Sequence, residues 1–259
     1  MEYVLPIGFA VATWWLSTVV IVYRAGLPRQ SFLATLLGTS LIALLGAYAI
    51  LASRHELTPT NAYLAFIGAL AIWGWHEVSY LFGFISGPKP EACPPNVHGW
   101  RRFVLGVKTC VYHEMAVLAT VAVLAALTWN SPNTIGLLTF VILWLMRWSA
   151  KLNIFLGVRN LHEEFWPEHL NYLKSFVGRR SSNELFPVSI VFSTAGLALL
   201  AMVAVQAGED VALRTGYTLL ATLLALAVLE HLFLVARVKD DVLWRPAMRS
   251  RGGGGSAAG

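Results

Sequence analysis

Seven long apolar runs, separated by short polar connections, constrain this chain more than any other feature. Each run reaches about 20 residues, the length that an α-helix needs to cross the hydrocarbon core of a bilayer. Of the 259 residues, 57% are hydrophobic and 13% are charged, whereas a soluble domain carries about 25% charged residues. The runs cover residues 3–23, 32–53, 63–86, 107–129, 134–157, 187–207 and 215–238. We therefore predict an all-α, polytopic membrane protein with seven transmembrane helices in a lipid bilayer.

The distribution of basic residues predicts how these helices are oriented. Fifteen Lys and Arg residues lie in or beside the connections that follow the first, third, fifth and seventh runs, all on one face. The opposite face holds only Arg54 and Arg214. Because Lys and Arg are enriched in cytoplasmic loops, we predict an outside N-terminus and a cytoplasmic C-terminus. The same bias explains the net charge of +5, so no nucleic-acid partner is expected.

The chain is predicted to form a single unit. Residues 1–245 make one seven-helix membrane domain, and residues 246–259 form a flexible Gly-rich tail of the kind used as an engineered linker. The first run lacks a basic leader, so it is interpreted as a true span and not as a signal peptide. Two cysteines, Cys93 and Cys110, provide neither a disulfide framework nor a zinc ribbon.

Ionisable residues inside the apolar runs are the strongest functional signal, because such residues are costly in a membrane and usually serve a function. Adjacent His and Glu residues occur in the third, fourth and seventh runs, at about 9–15 Å from the predicted cytoplasmic boundary at 1.5 Å per residue. A further pair follows the fifth run, which itself holds Arg147 and Lys151. The candidate residues are His76, Glu77, His113, Glu114, His162, Glu163, Glu230 and His231. Four segments are thus predicted to bring imidazoles and carboxylates to one level.

One interpretation of this cluster is a metal site. Imidazole and carboxylate ligands suit iron, manganese or zinc, and di-metal sites in helix bundles draw such ligands from several helices. Adjacent residues on a helix point about 100° apart, so one member of each pair would bind the metal and the other would orient a ligand. The members expected to point inward are His76, His113, Glu114, Glu230 and His231.

Two other interpretations stay open. The His and Glu residues could instead pair with Arg147, Lys151 and Arg159 in a buried polar network that locks the helices together. Alternatively, one histidine could bind a tetrapyrrole as an axial ligand. The connections 87–102 and 159–184 alternate charged and aromatic residues, which predicts amphipathic segments that lie in the interface and cover the cluster.

Two stretches resemble a known family. One is WHEVSYLFGFISGP at residues 75–88, continuing to Tyr112-His113-Glu114, and the other is KLNIFLGVRN at residues 151–160, continuing to Phe165. They are similar to the photosynthetic complex assembly protein 2 family (PuhE type) of bacteria with type II reaction centres, over most of residues 1–245.

The resemblance implies a multi-pass protein of the bacterial inner (intracytoplasmic) membrane. It implies a role in assembly of the reaction centre and core antenna, or in bacteriochlorophyll supply. The partners would be reaction-centre and light-harvesting proteins or pigment-synthesis proteins, and the cofactor a bacteriochlorophyll-type pigment. No catalytic residue comes with the resemblance. The alternative is a membrane metalloenzyme whose His/Glu site acts on a lipid-soluble substrate such as a pigment precursor. A third class, a passive packing subunit, is disfavoured because it would need few buried charges.

Overall fold

The chain folds into a bundle of α-helices. The structure, a computed structural model, describes residues 2–160, 167–178 and 180–236. Within these ranges the helices are α1 Val4–Ala25, α2 Phe32–Ser53, α3 Pro59–Leu81, α4 Gly99–Lys108, α5 Val111–Leu127, α6 Ile135–Leu156, α7 Leu185–Gln206 and α8 Val211–Val235. Two 3-10 helices, Arg29–Ser31 and Glu168–Phe176, lie in the connections.

Helix termini meet at two opposite ends of the bundle. At one end, Arg54 after α2 donates from Nη1 to the carbonyl of Leu127, the last residue of α5, at 2.9 Å. At the same end, the Asn133 side chain before α6 donates to the carbonyls of Ser53 and Asn61, both at 3.0 Å. The end of α2, the start of α3, the end of α5 and the start of α6 therefore lie together, as antiparallel neighbours must.

The other end, which we call the capped end, gathers the complementary termini. Asn160 follows α6 and donates from Nδ2 to the carbonyls of Phe233 and Ala236 at the end of α8, at 2.6 and 2.8 Å. Asn183 precedes α7 and donates to the carbonyls of Asn153 and Gly157 at the end of α6, at 3.1 and 2.9 Å. These side chains satisfy terminal carbonyls that lipid could not.

Helix α3 is the centre of the bundle. It contacts α1, α2, α5, α6 and α8 and contributes to each of three buried apolar clusters. Its residues Ala62, Phe66 and Ala69 are fully buried. In contrast, α7 buries only Ser193 and Ala204. Since α3 is enclosed by protein, it can carry polar residues that a lipid-facing helix could not.

Two glycines set the distance between α2 and α3. A Cβ atom placed on Gly68 would lie 2.5 Å from the carbonyl oxygen of Gly46, and one on Gly46 would lie 2.6 Å from the carbonyl oxygen of Gly68. The two backbones are therefore in direct contact. Small residues at such crossings are the usual way in which membrane helices pack closely.

Five of the described helices are long and apolar enough to cross a membrane, namely α1, α2, α6, α7 and α8, or six if α4 and α5 form one bent span. The prediction of an all-helical, multi-pass membrane protein is confirmed. Helix α3, which carries His76 and Glu77, is long enough to cross a membrane, but its mean hydropathy is too low for it to count among these helices. Its buried position accounts for this, because α3 is surrounded by protein and not by lipid.

The prediction of one continuous helix over residues 107–129 is wrong. The chain bends by 65° between α4 and α5, and Thr109 and Cys110 form the break. The physical reason is that α4 is amphipathic and packs against the 3-10 helix Glu168–Phe176, so it lies over the bundle and does not extend it. The other six predicted spans each correspond to a single helix, with ends displaced by a few residues.

We predict that Gly68→Ala destabilises the protein by about 1–3 kcal/mol, the usual range for overpacking, because its new Cβ would meet backbone that cannot rotate away. Gly38→Ala, also in a helix, is the matched control, since a Cβ there meets nothing within 4 Å. Thermal unfolding of the purified variants in detergent measures the difference. Equal midpoints for the two variants would contradict the close packing of α2 on α3.

Candidate functional site

The centre of the site is a pair of cations on one face of α6. Arg147 and Lys151 are four residues apart, so their side chains lie one above the other. Arg147 Nη2 donates to Glu77 Oε2 of α3 at 2.9 Å. Lys151 Nζ donates to Glu114 Oε1 of α5 at 2.5 Å, and Trp148 Nε1 donates to the other oxygen, Oε2, at 2.5 Å. Helix α6 is thereby joined to α3 and α5 by charge-assisted hydrogen bonds, which are stronger than neutral ones.

Two of the predicted histidines lie beside these ion pairs. His76 and His113 are 2% and 1% exposed, and their ring centroids are 6.2 Å apart. His76 Nε2 hydrogen-bonds the hydroxyl of Thr120 at 2.9 Å, whereas the His113 ring packs on Tyr80 with centroids 4.7 Å apart. Both imidazoles are enclosed by protein, with Nδ1 of each buried and without a hydrogen-bond partner among the described residues.

The third of the predicted histidines, His231, joins α8 to α6. His231 is 2% exposed, and its Nε2 is 2.9 Å from the hydroxyl of Ser149. Its Nδ1 is 2.9 Å from the carbonyl of Ala227, one turn earlier in α8. Its neighbour Glu230 is exposed and lies within electrostatic range of Arg147. Residues from α3, α5, α6 and α8 therefore form one polar layer.

The eight predicted metal ligands do not all lie in the polar layer. Six of the eight lie in this layer, and His162 and Glu163 lie outside the described residues. In the described part of the chain, no three His, Cys, Asp or Glu side chains are arranged to hold one ion. Glu77 and Glu114 bind cations, as the interpretation of a buried polar network expects, while Arg159 is exposed. The metal site stays a prediction.

A cavity of about 220 Å³ adjoins the polar layer at the capped end. Its walls come from α3, α4, α6, the start of α5 and the segment 170–177, and most of them are apolar or aromatic. The lining residues that matter for its chemistry are Tyr80, Phe103, Gly106, Cys110, Glu114, Arg147, Trp148, Lys151, Phe155 and Phe176. None of the three buried histidines lines the cavity.

The cavity is covered by α4 and the 3-10 helix Glu168–Phe176. Arg102 of α4 donates from Nη2 to the carbonyl of Phe176 at 2.7 Å, and its guanidinium lies over the Phe155 ring, 4.7 Å from the centroid. The backbone N–H of Cys93 donates to the Ser175 hydroxyl at 2.7 Å. The described parts of the two predicted amphipathic segments thus contact each other and α6. We call α4 and the 3-10 helix Glu168–Phe176 the cap.

The cap is also anchored to α3. His169 Nε2 is 2.9 Å from the carbonyl of Leu81, the last residue of α3, and its ring packs against Phe32 with centroids 6.1 Å apart. Burial lowers the pKa of His169, and nearby Arg29 lowers it further, although the bond to Leu81 opposes this. Because a carbonyl oxygen can only accept, Nε2 carries the hydrogen of this bond.

Sequence reasoning missed several partners in this site. Trp148 and Ser149 follow Arg147 directly, but their roles depend on which way α6 is rotated, and one run of apolar residues does not define that rotation. Thr120 lies in the middle of an apolar stretch and bears no signal of its own. Asn133 and Asn183, which precede α6 and α7, carry a detectable signal, because Asn is favoured next to the first turn of a helix.

A family model described as "Protein of unknown function (DUF3623)" matches residues 1–253. The chain belongs to this family. The DUF3623 chain is also similar to a protein of Rhodobacter capsulatus described as an uncharacterized 30.4 kDa protein in the puhA 5′ region. The two are 37% identical over 236 residues, which cover 89% of this chain and 85% of the relative. No solved structure matches this DUF3623 chain.

We predict that Lys151→Met lowers stability by at most about 3 kcal/mol, because it leaves the Glu114 carboxylate without its cation. The Lys151 side chain is 25% exposed, so the loss lies at the lower end of the range for buried pairs. The double variant Lys151→Met/Glu114→Gln removes both charges and should recover much of this loss. Unfolding midpoints of the variants in detergent measure both effects. A double variant less stable than the single variant would show that the ion pair does not act as a unit.

Proposed function

We propose that this chain is an inner-membrane factor of phototrophic bacteria that serves the assembly of photosynthetic complexes, as a PuhE-type protein. The observation that carries the proposal is its similarity to the Rhodobacter capsulatus protein of the puhA 5′ region over 89% of the chain. The puhA gene is a reaction-centre gene, and bacterial genes of one process are commonly neighbours. The partners proposed are reaction-centre and light-harvesting proteins or the proteins that supply bacteriochlorophyll.

The geometry of the polar layer supports a binding or assembly role more than hydrolysis. A carboxylate that acts as a general base or as a metal ligand must be available to react. Both oxygens of Glu114 already accept hydrogen bonds at 2.5 Å, and Glu77 accepts from Arg147. The buried histidines do not line the cavity. No arrangement in the described residues favours the metalloenzyme alternative over the assembly role.

We further propose seven membrane crossings, formed by α1, α2, α3, α5, α6, α7 and α8, with a cytoplasmic capped end. Support for α3 as a crossing helix comes from its length of 23 residues and its contact with α2 along the Gly46–Gly68 crossing. Support for the orientation comes from the basic residues. Among those described, Arg54 and Arg214 lie at the end opposite the cap, and Arg147 and Lys151 lie inside the bundle. The end opposite the cap is therefore poor in basic residues, as expected of a periplasmic face.

The topology leads to a direct prediction. A reporter that is active only in the cytoplasm should be active when fused at the C-terminus and inactive at the N-terminus, and a periplasmic reporter should give the opposite pattern. The physical reason is the retention of basic loops on the cytoplasmic side. Fusions at residue 92, in the connection before α4, should match the C-terminal ones. Reporter activities that place both termini on the same side of the membrane would exclude seven crossings.

The assembly role predicts a phenotype in a phototrophic host. Deleting the gene of the 37% identical relative in Rhodobacter capsulatus should change the amount of reaction centre, antenna or bacteriochlorophyll, measured by absorption spectra of isolated membranes. Respiratory growth should be spared, because respiration does not use these complexes. Expression of this chain in the deletion strain should restore the spectrum.

Two variants serve as matched controls for the complementation. Gly68→Ala, which is expected to be destabilised, should complement less well than Gly38→Ala, which is expected to complement fully. A deletion strain with unchanged pigment and complex levels under phototrophic and semi-aerobic growth would overturn the assembly role.

A further inference from the structure

The capped cavity carries an inference that goes beyond the assembly role and does not rest on it. We propose that this cavity binds an anionic amphiphile, with its carboxylate or phosphate at Arg147 and Lys151 and one acyl chain along the aromatic wall under the cap.

The first support is charge. Three charged residues line the cavity, namely Arg147, Lys151 and Glu114, and the other lining residues of the described chain are uncharged. Glu77, the partner of Arg147, is not part of the lining. The surface presented to a ligand is therefore net positive. In a site with apolar walls, such a charge attracts an anion more strongly than it would in water.

The second support is unused hydrogen-bonding capacity. A guanidinium has five donors and an ammonium has three. Within the described residues Arg147 donates only from Nη2, to Glu77, and its buried Nε has no hydrogen-bond partner. The Arg147 and Lys151 side chains are 38% and 25% exposed, compared with 12% for Glu77 and for Glu114. The cations are thus more available to a ligand than the carboxylates are.

The third support is the size and nature of the walls. Pockets for drug-sized ligands measure about 300–1,000 Å³, and this cavity is about 220 Å³. A single hydrocarbon chain fits such a volume. The aromatic part of the wall includes Phe103, Phe155 and Phe176, with Phe103 and Phe155 in an edge-to-face contact at 5.5 Å. Such a wall suits an acyl chain.

The native cysteines provide the test. Cys110 lines the cavity and Cys93 does not, and neither forms a disulfide. The purified full chain in nanodiscs of phosphatidylcholine is treated with N-ethylmaleimide, and labelling of each cysteine is followed by peptide mass spectrometry. Dodecanoate should slow labelling of Cys110 several-fold relative to Cys93, and dodecanol, with the same chain but no charge, should have a much smaller effect.

Two variant pairs sharpen this test. Arg147→Gln/Glu77→Gln leaves the overall charge of the protein unchanged but removes one cation from the lining, so it should abolish the preference for dodecanoate over dodecanol. Gly106→Leu points a side chain toward Phe155 and Phe176 and should remove the effect of dodecanoate on Cys110. Gly38→Leu faces open space and should behave as the wild type.

The source of the anion is resolved by a second probe, phosphatidylglycerol in the nanodisc. Protection by dodecanoate alone supports a free fatty acid as ligand, and protection by phosphatidylglycerol supports a lipid headgroup with one chain in the cavity. Equal protection by dodecanoate and dodecanol in the wild type would overturn the proposal, as would absence of protection by all three probes.

Discussion

Two cations inside an apolar bundle are the constraint on which the rest of this structure depends. Arg147 and Lys151 sit on α6 among mostly apolar side chains, where an unpaired charge is costly, and each pairs with a carboxylate. Glu77 of α3 and Glu114 of α5 supply them. Since each bond requires a particular depth and rotation of both helices, the two pairs together fix how three helices face one another. We infer that these two pairs contribute more to the specificity of this arrangement than to stability.

Close backbone packing provides the other half of the arrangement. The Gly46–Gly68 crossing brings α2 against α3, and this leaves the polar face of α3 turned toward α5 and α6. A helix with these polar residues could not face lipid, yet in the centre of the bundle each of them has neighbours. Close packing on one side of α3 and ion pairing on the other are therefore complementary consequences of its central position.

Much of the fold could be predicted from the sequence, because lipid imposes a helix of about 20 apolar residues for each crossing. Six of the seven predicted runs match single helices. The break at Thr109 and Cys110 could not be predicted, because it depends on α4 packing against the distant 3-10 helix. The level of the polar residues could be predicted from helix rise. Their partners could not, since the pairing of Glu114 with Lys151 depends on helix rotation, which hydropathy does not define.

The same pairing determines what chemistry the layer can perform. The Glu114 carboxylate accepts one hydrogen bond at each oxygen, from Lys151 and Trp148, so a metal ion there would have to compete with the Lys151 cation. The cations, by contrast, have more donors than the carboxylates can use, and they border the cavity. Glu77 Oε1 and Nδ1 of His76 and His113 are also buried without a partner in the described structure, but these three residues do not line the cavity. The charged groups with spare hydrogen-bonding capacity at the cavity wall are therefore donors. A site of donors beneath an aromatic cap is suited to holding an anionic headgroup, whereas a site of free carboxylates and imidazoles would have been suited to holding a metal ion.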